Sequence, residues 1–180
     1  MEGMSQVTHE FEPVFNQDSK VLVLGTFPSV KSRENQFYYG HPQNRFWKVI
    51  ARLTDSEVPE TIEEKKALLL EHGIAVWDVI ASCEIKGSSD SSIRNVVPAD
   101  LNRILKECNI RRIYANGRTA EKLYEKYSKS RTGRDITGLP STSPANAAYS
   151  IDRLMESWGE IREFIGVRPL CGPFSEDSDY

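Results

Sequence analysis

Three short segments of this chain hold the residue types that can do chemistry. The first, Gly25-Thr-Phe27-Pro28-Ser29, follows the apolar run Val21–Leu24. The second, Tyr38-Tyr39-Gly-His41-Pro42-Gln-Asn44-Arg45-Phe46-Trp47, places His41 sixteen residues after Gly25. The third is Leu139-Pro-Ser141-Thr-Ser143-Pro144-Ala-Asn146. A flat aromatic such as Tyr39 can stack on a nucleobase, an asparagine can read a base edge or orient a water, and an arginine can bind phosphate. A Ser/Pro loop ahead of a helix offers hydroxyls and free N–H groups, which suits phosphate or a charged transition state. Each segment also has a purely structural reading. Pro28 can simply fix a strand-ending turn, Phe46 and Trp47 suit a core, and the third segment can serve as a helix N-cap.

Other chemistries are excluded by what is missing. No Gly-Lys-Ser/Thr follows Gly25, and the turn lacks the glycines of a dinucleotide-binding loop, so no nucleotide cofactor is expected. Cys83, Cys108 and Cys171 are odd in number and widely separated, which fits neither a disulfide framework nor a Cys-x-x-Cys metal site. Reduced thiols, no metal and no cofactor are the expectation, with Cys108 packed in the core. No lysine lies within the three segments, so water rather than a Schiff base would be the nucleophile.

The elements that must position these segments can be read from periodicity. Val21–Leu24 reads as a buried strand, and Phe46, Trp47, Val49, Ile50 and Leu53 recur at helical spacing, with the helix starting near Pro42 to Asn44. Residues 61–72 read as a helix ended by Gly73, 74–80 as one strand, 100–108 as a helix, 112–116 as a strand, 119–128 as a helix and 136–139 as a short strand. Ile151, Leu154, Met155, Trp158, Ile161, Phe164 and Ile165 then form one helical stripe. Strands alternating with helices imply a three-layer α/β/α fold around a central, mostly parallel four-stranded sheet. The C-terminal ends of such strands are where ligands bind, so the three segments converge on one candidate site.

At 180 residues the chain is expected to form one catalytic domain over 19–167. Residues 1–18 would be an acidic N-terminal segment and 168–180 an acidic tail without periodicity. The formal charge of −3 hides an uneven distribution. Glu2, Glu10, Glu12 and Asp18 put −4 on the first segment, and Arg111, Arg112, Arg118, Lys122, Lys126, Lys129, Arg131 and Arg134 face only Glu121 and Glu125. Such a cluster attracts a phosphate backbone whatever the total charge, and it is equally a solvated helix face. No membrane span and no signal peptide is evident, so an intracellular, monomeric protein is expected.

Together the three segments resemble the uracil-DNA glycosylase superfamily, in which a Gly-x-(Asp/Asn)-Pro motif follows the first strand and a Pro-Ser-containing loop precedes the last helix. His41-Pro-Gln-Asn-Arg-Phe-Trp47 is similar to a segment of the mismatch-specific uracil glycosylase branch. Phe27 stands where many members have a water-activating Asp or Asn, and Ser141 where His or Asn is common. In these features the chain looks like the hypoxanthine (deoxyinosine) DNA glycosylase branch, in which the asparagine matching Asn44 is associated with activity. The lack of a four-cysteine set separates it from the iron-sulfur branches.

The resemblance implies a monofunctional enzyme acting on DNA that contains deaminated bases. The target nucleotide would flip out, Tyr39 would stack on it, Asn44 would orient water toward C1′, and Gly25, Phe27, Pro28, Ser29 and His41 would line the base site. Asp78, at a strand end, would hydrogen-bond or protonate the purine, or merely cap a helix. Ser141, Ser143, Pro144 and Asn146 would contact the DNA backbone, as would Ser88 and Ser89 in the polar run 86–92. Two alternatives stand beside this reading: a uracil or mismatch glycosylase, and a non-catalytic DNA- or nucleotide-binding domain.

Overall fold

The computed structural model describes residues 5–9, 11–86 and 92–165. Its centre is a four-stranded sheet of β2 (Val21–Gly25), β3 (Ile74–Asp78), β6 (Arg112–Asn116) and β7 (Thr137–Leu139), ordered β3-β2-β6-β7, with every pair parallel. All five residues of β2 and of β3 are buried. Successive side chains on a strand point to opposite faces, so both faces of the sheet are covered. The covering helices include α2 (Phe46–Thr54), α3 (Ile62–Glu71), α5 (Arg118–Leu123) and α7 (Ile151–Trp158). This is the α/β/α arrangement expected.

Local chemistry sets the helix ends. Thr61 and Glu64 form a reciprocal capping box at the start of α3, a device worth about 1 kcal/mol. At its far end Gly73 takes φ +73°, a conformation that costs glycine little. The helix expected to start near Pro42 to Asn44 begins instead at Phe46. Residues 41–44 are turned back on themselves: the Gln43 N–H donates to His41 Nδ1, and the Asn44 N–H donates to the His41 carbonyl. Pro42 thus belongs to a turn. The expected 100–108 helix shrinks to α4 (Asn102–Leu105), and the last stripe is split by a 3-10 turn at Gly159–Ile161 before α8 (Arg162–Ile165).

A second, antiparallel sheet differs from expectation. It orders β1 (Ser5–Thr8), β4 (Ile80–Ile85) and β5 (Arg94–Pro98) as β1-β4-β5. The apolar run 74–80 is therefore two strands in two sheets, broken at Val79, whose N–H donates to the Gly25 carbonyl while its own carbonyl accepts from Ala99. Hydrophobic patterning does not show that break, because the residues on both sides of it are buried. Within 1–18, set apart above as an acidic segment, the described residues are stitched to the body: β1 pairs with β4, and Val14 bridges to Val76. The 168–180 tail, Ser88 and Ser89 lie outside the described residues.

Candidate active site

Because the central strands are parallel, their C-terminal ends lie along one edge of the sheet. Gly25 pairs with Asp78, and Asn116 with Leu139, so β2, β3, β6 and β7 each deliver a residue to the same place. A cleft of about 490 Å³ opens there. Gly25, Phe27, Pro28, Ser29, Tyr39, His41, Asn44, Asp78, Ser141, Ser143 and Pro144 all line it. Segments separated by a hundred residues thus meet, as the sequence argument required.

Gly25 has a steric reason to be glycine. A Cβ there would collide with an Asp78 carboxylate oxygen and lie 2.9 Å from the Tyr39 hydroxyl. The floor of the cleft is therefore a bare α-carbon flanked by an acceptor and a phenol. Tyr39 itself sits at φ +54°, rare for a side-chain-bearing residue. Its ring stacks on Phe46 at 4.0 Å between centroids, and its hydroxyl is buried with no hydrogen-bond partner among the described residues. Burial, reinforced by the Asp78 charge, pushes the Tyr39 hydroxyl well above the ordinary phenol range. It stays protonated and offers an O–H donor.

Asn44 is held by a chain of polar groups. Its Oδ1 accepts from the Phe46 N–H at 2.9 Å and from the Thr142 hydroxyl at 2.8 Å. The Thr142 hydroxyl in turn accepts from Asn116 Nδ2 at 3.0 Å, and the Thr142 N–H donates to Asn116 Oδ1 at 3.0 Å. A backbone N–H can only donate, so the contact with Phe46 fixes which end of the Asn44 amide is oxygen. Both lone pairs of Oδ1 are engaged. The group that Asn44 has left to offer the cleft is its Nδ2, a donor.

Arg45, a candidate phosphate ligand by residue type, is instead committed to the protein. Its guanidinium donates to the carbonyls of Ser143 and Asn146, both at 3.0 Å, and to that of Tyr149. Its N–H donates to the Thr142 carbonyl. Asn146 is likewise a brace: its side-chain amide donates to the Ser141 carbonyl, and it does not line the cleft. Ser141 and Ser143 accept from backbone N–H groups two residues onward, and Ser29 caps α1 (Val30–Asn35) by accepting from the Ser32 N–H. These hydroxyls shape the loops as well as lining the cleft.

The basic cluster divides in the same way. Arg111 and Arg134 donate to backbone carbonyls, of Phe164 and Ile110 respectively, and Arg112 lies over the Phe164 ring. Arg118, Lys122 and Lys126 share an open groove with Glu121 and Glu125. Gly117, just ahead of them, packs against Ser141, which places the groove beside the cleft.

Three residues of the site escaped the sequence reading. Asn116 had an available signal, a polar residue ending a parallel strand. Thr142 was hidden among serines of the same loop. His9, whose Nε2 lies 2.8 Å from Asp78 Oδ2, is 69 residues away in sequence and has no local signature. Among the described residues no group of three or more His, Cys, Asp or Glu side chains could hold a metal ion, and no helix is long and apolar enough to cross a membrane.

Residues 12–161 match the profile of the uracil DNA glycosylase superfamily. The chain belongs to the uracil DNA glycosylase superfamily. Among superfamily relatives, a hypoxanthine DNA glycosylase from Methanosarcina acetivorans is 35% identical over 149 residues, covering 81% of this chain and 92% of that protein. A second, from Methanosarcina barkeri, is 27% identical over 155 residues, covering 83% and 94%. The fold is similar to the solution NMR structure of a Methanosarcina acetivorans protein described as a uracil DNA glycosylase. There the TM-score is 0.72 at 31% identity, with 87% of this chain and 96% of that one covered. The superfamily match takes in every cleft-lining residue named above, whereas His9, the partner of Asp78, precedes it.

Proposed function

We propose that this chain is a monofunctional DNA glycosylase that excises hypoxanthine from deoxyinosine by hydrolysis, leaves an abasic site and acts as a monomer. The relatives named for that activity support the substrate. The observation that carries the chemistry is Asn44, locked through Thr142 and Asn116 at the mouth of a strand-end cleft whose floor holds Asp78 and Tyr39.

In this reaction the N9–C1′ bond breaks and its electron pair goes to the purine, which takes up a proton. Water adds to C1′ and gives up a proton to solvent. The flipped base enters between Tyr39, already backed by Phe46, and the Phe27 turn. Asn44 Nδ2 donates either to the departing base or to the oxygen of the attacking water. Toward the departing base it acts as a preorganised donor aimed at developing negative charge, the kind of contribution that dominates many active sites, whereas toward the water it only fixes position. It cannot take a proton from the water. Phe27, in place of an acid or amide, cannot either, so the reaction relies on leaving-group stabilisation.

Asp78 supplies the reading of the base. Deamination converts the acceptor N1 of adenine into the donor N1–H of hypoxanthine. A carboxylate at the cleft floor accepts that N–H and repels the adenine lone pair. Uracil carries an equivalent N3–H, so uracil excision is the second activity this geometry favours. The test is release of hypoxanthine from inosine-containing duplex DNA by the purified chain, read as alkali-sensitive abasic sites. Failure on both inosine and uracil substrates would refute the assignment and leave the non-catalytic binding reading.

A further inference from the structure

The mechanism above leaves unused a buried histidine in direct contact with Asp78. His9 directly follows the strand β1 and reaches across to β3, where its Nε2 meets Asp78 Oδ2 at 2.8 Å, with both side chains only 5% exposed. Its ring is clasped by aromatics: Phe11 at 4.6 Å, Tyr38 at 5.7 Å and Phe27 edge-on at 6.0 Å between centroids. Its other nitrogen, Nδ1, is buried with no partner among the described residues. A buried polar atom left unsatisfied costs free energy, so a purely structural role would be better filled by an apolar residue. His9 also precedes the superfamily match, which starts at residue 12.

We propose that His9, which directly follows the N-terminal strand β1, is a positioning residue for base recognition. A carboxylate is acceptor-only, so the hydrogen in the contact sits on His9 Nε2 and is donated to Asp78 Oδ2. That bond occupies one oxygen and fixes the rotation of the carboxylate, leaving Oδ1, the oxygen beside Gly25, to face the base edge. Carboxylate, imidazole and aromatic clasp then form one unit. This inference rests on the glycosylase reading and on Asp78 as the base-reading group within it.

The experiment compares His9→Ala, His9→Gln and His9→Asn in the full chain, in single turnovers on inosine DNA and on uracil DNA at saturating enzyme. Gln places an amide N–H near the position of Nε2, whereas Asn is too short and mimics Nδ1. The expected result is a loss of about ten- to a hundredfold for Ala and Asn, the worth of a hydrogen bond to a charged group, with Gln within a few-fold of wild type. Both substrates should fall in parallel, because both present an N–H to Asp78. In the Asp78→Asn background, His9→Ala should cost almost nothing further. Should the Ala variant fail to fold, the Gln and Asn pair still decides, since both keep an amide and differ only in reach. Equal rates for Gln and Asn, or a full His9→Ala penalty persisting in Asp78→Asn, overturns the proposal. A wild-type chain inactive on both substrates overturns the glycosylase reading and this inference with it, whereas an active wild type matched by His9→Ala overturns only the inference.

Discussion

Replacing Asn44 by Asp separates two ways an asparagine can serve a hydrolase. Oδ1 of Asn44 receives hydrogen bonds from the Phe46 N–H at 2.9 Å and the Thr142 hydroxyl at 2.8 Å. An aspartate keeps both, made stronger by charge, and changes only the outward atom, from an N–H donor to an oxygen acceptor. If the site needs a donor aimed at the departing base or at water, Asn44→Asp should lose as much activity as Asn44→Ala. The loss expected for one preorganised donor is about 10²- to 10³-fold in rate, roughly 3–4 kcal/mol. Stability should move the opposite way. Asn44→Ala strips the acceptor from the Phe46 N–H and the Thr142 hydroxyl and should cost about 1–2 kcal/mol, whereas Asn44→Asp should stay near wild type. Single-turnover excision on inosine DNA, with urea unfolding of the same preparations, measures both quantities. An Asn44→Asp enzyme as fast as wild type, or faster, would mean that no N–H donor is needed at this position. It would refute the donor assignment.

Gly25→Ala should destabilise the fold by about 1–3 kcal/mol and abolish excision, because the added methyl meets the Asp78 carboxylate and the Tyr39 hydroxyl; thermal melting and the inosine assay test it. Arg45→Ala removes the donor shared by three loop carbonyls and should cost roughly 3 kcal/mol, only partly recovered by Lys, which has no planar fork. Burial raises the hydroxyl pKa values of Tyr38, Tyr39, Tyr114 and Tyr124 above the ordinary phenol range. Their contribution to stability is complete below about pH 10, where unfolded tyrosines are neutral, and drains away as pH rises from there toward the folded values. Melting temperature should therefore fall steeply on the alkaline side, with tyrosinate absorbance appearing at the unfolding transition rather than before it. If Lys122 and Lys126 both touch phosphate, replacing them with Ala should reduce the slope of log affinity against log salt for abasic DNA by about 2, and an unchanged slope would exclude the groove.

The central sheet was readable in the sequence because each of its strands is a short apolar run bounded by Gly, Pro or a polar turn, and parallel order follows from alternation with helices. The convergence of Gly25, Asn44, Asp78 and Ser141 was readable for the same reason. What stayed hidden depends on contacts between distant segments. The break at Val79 depends on its N–H donating to the Gly25 carbonyl and its carbonyl accepting from the Ala99 N–H, neither of which is local in sequence. Residues 5–9 look like polar lead-in, since β1 lies at the edge of its sheet and carries no alternation long enough to register. Arg45 and Asn146 have the chemistry of DNA ligands, and residue type does not reveal that carbonyls a hundred residues away consume the donors of Arg45, or that the Ser141 carbonyl takes that of Asn146. Asn44 was found by type, but the direction its amide faces depends on Phe46 and Thr142.

The guanidinium of Arg45 has a consequence for anyone recombining this protein with its relatives. It ties 41–47 to the carbonyls of Ser143, Asn146 and Tyr149, and Thr142 closes the circuit back to Asn44. The two stretches are therefore a single heritable module despite lying at opposite ends of the chain. A chimera that imports a foreign 139–149 loop without its own 41–47 partner would inherit a mismatched clasp and an idle Asn44. Exchanging both at once would carry the clasp and the set of Asn44 across intact.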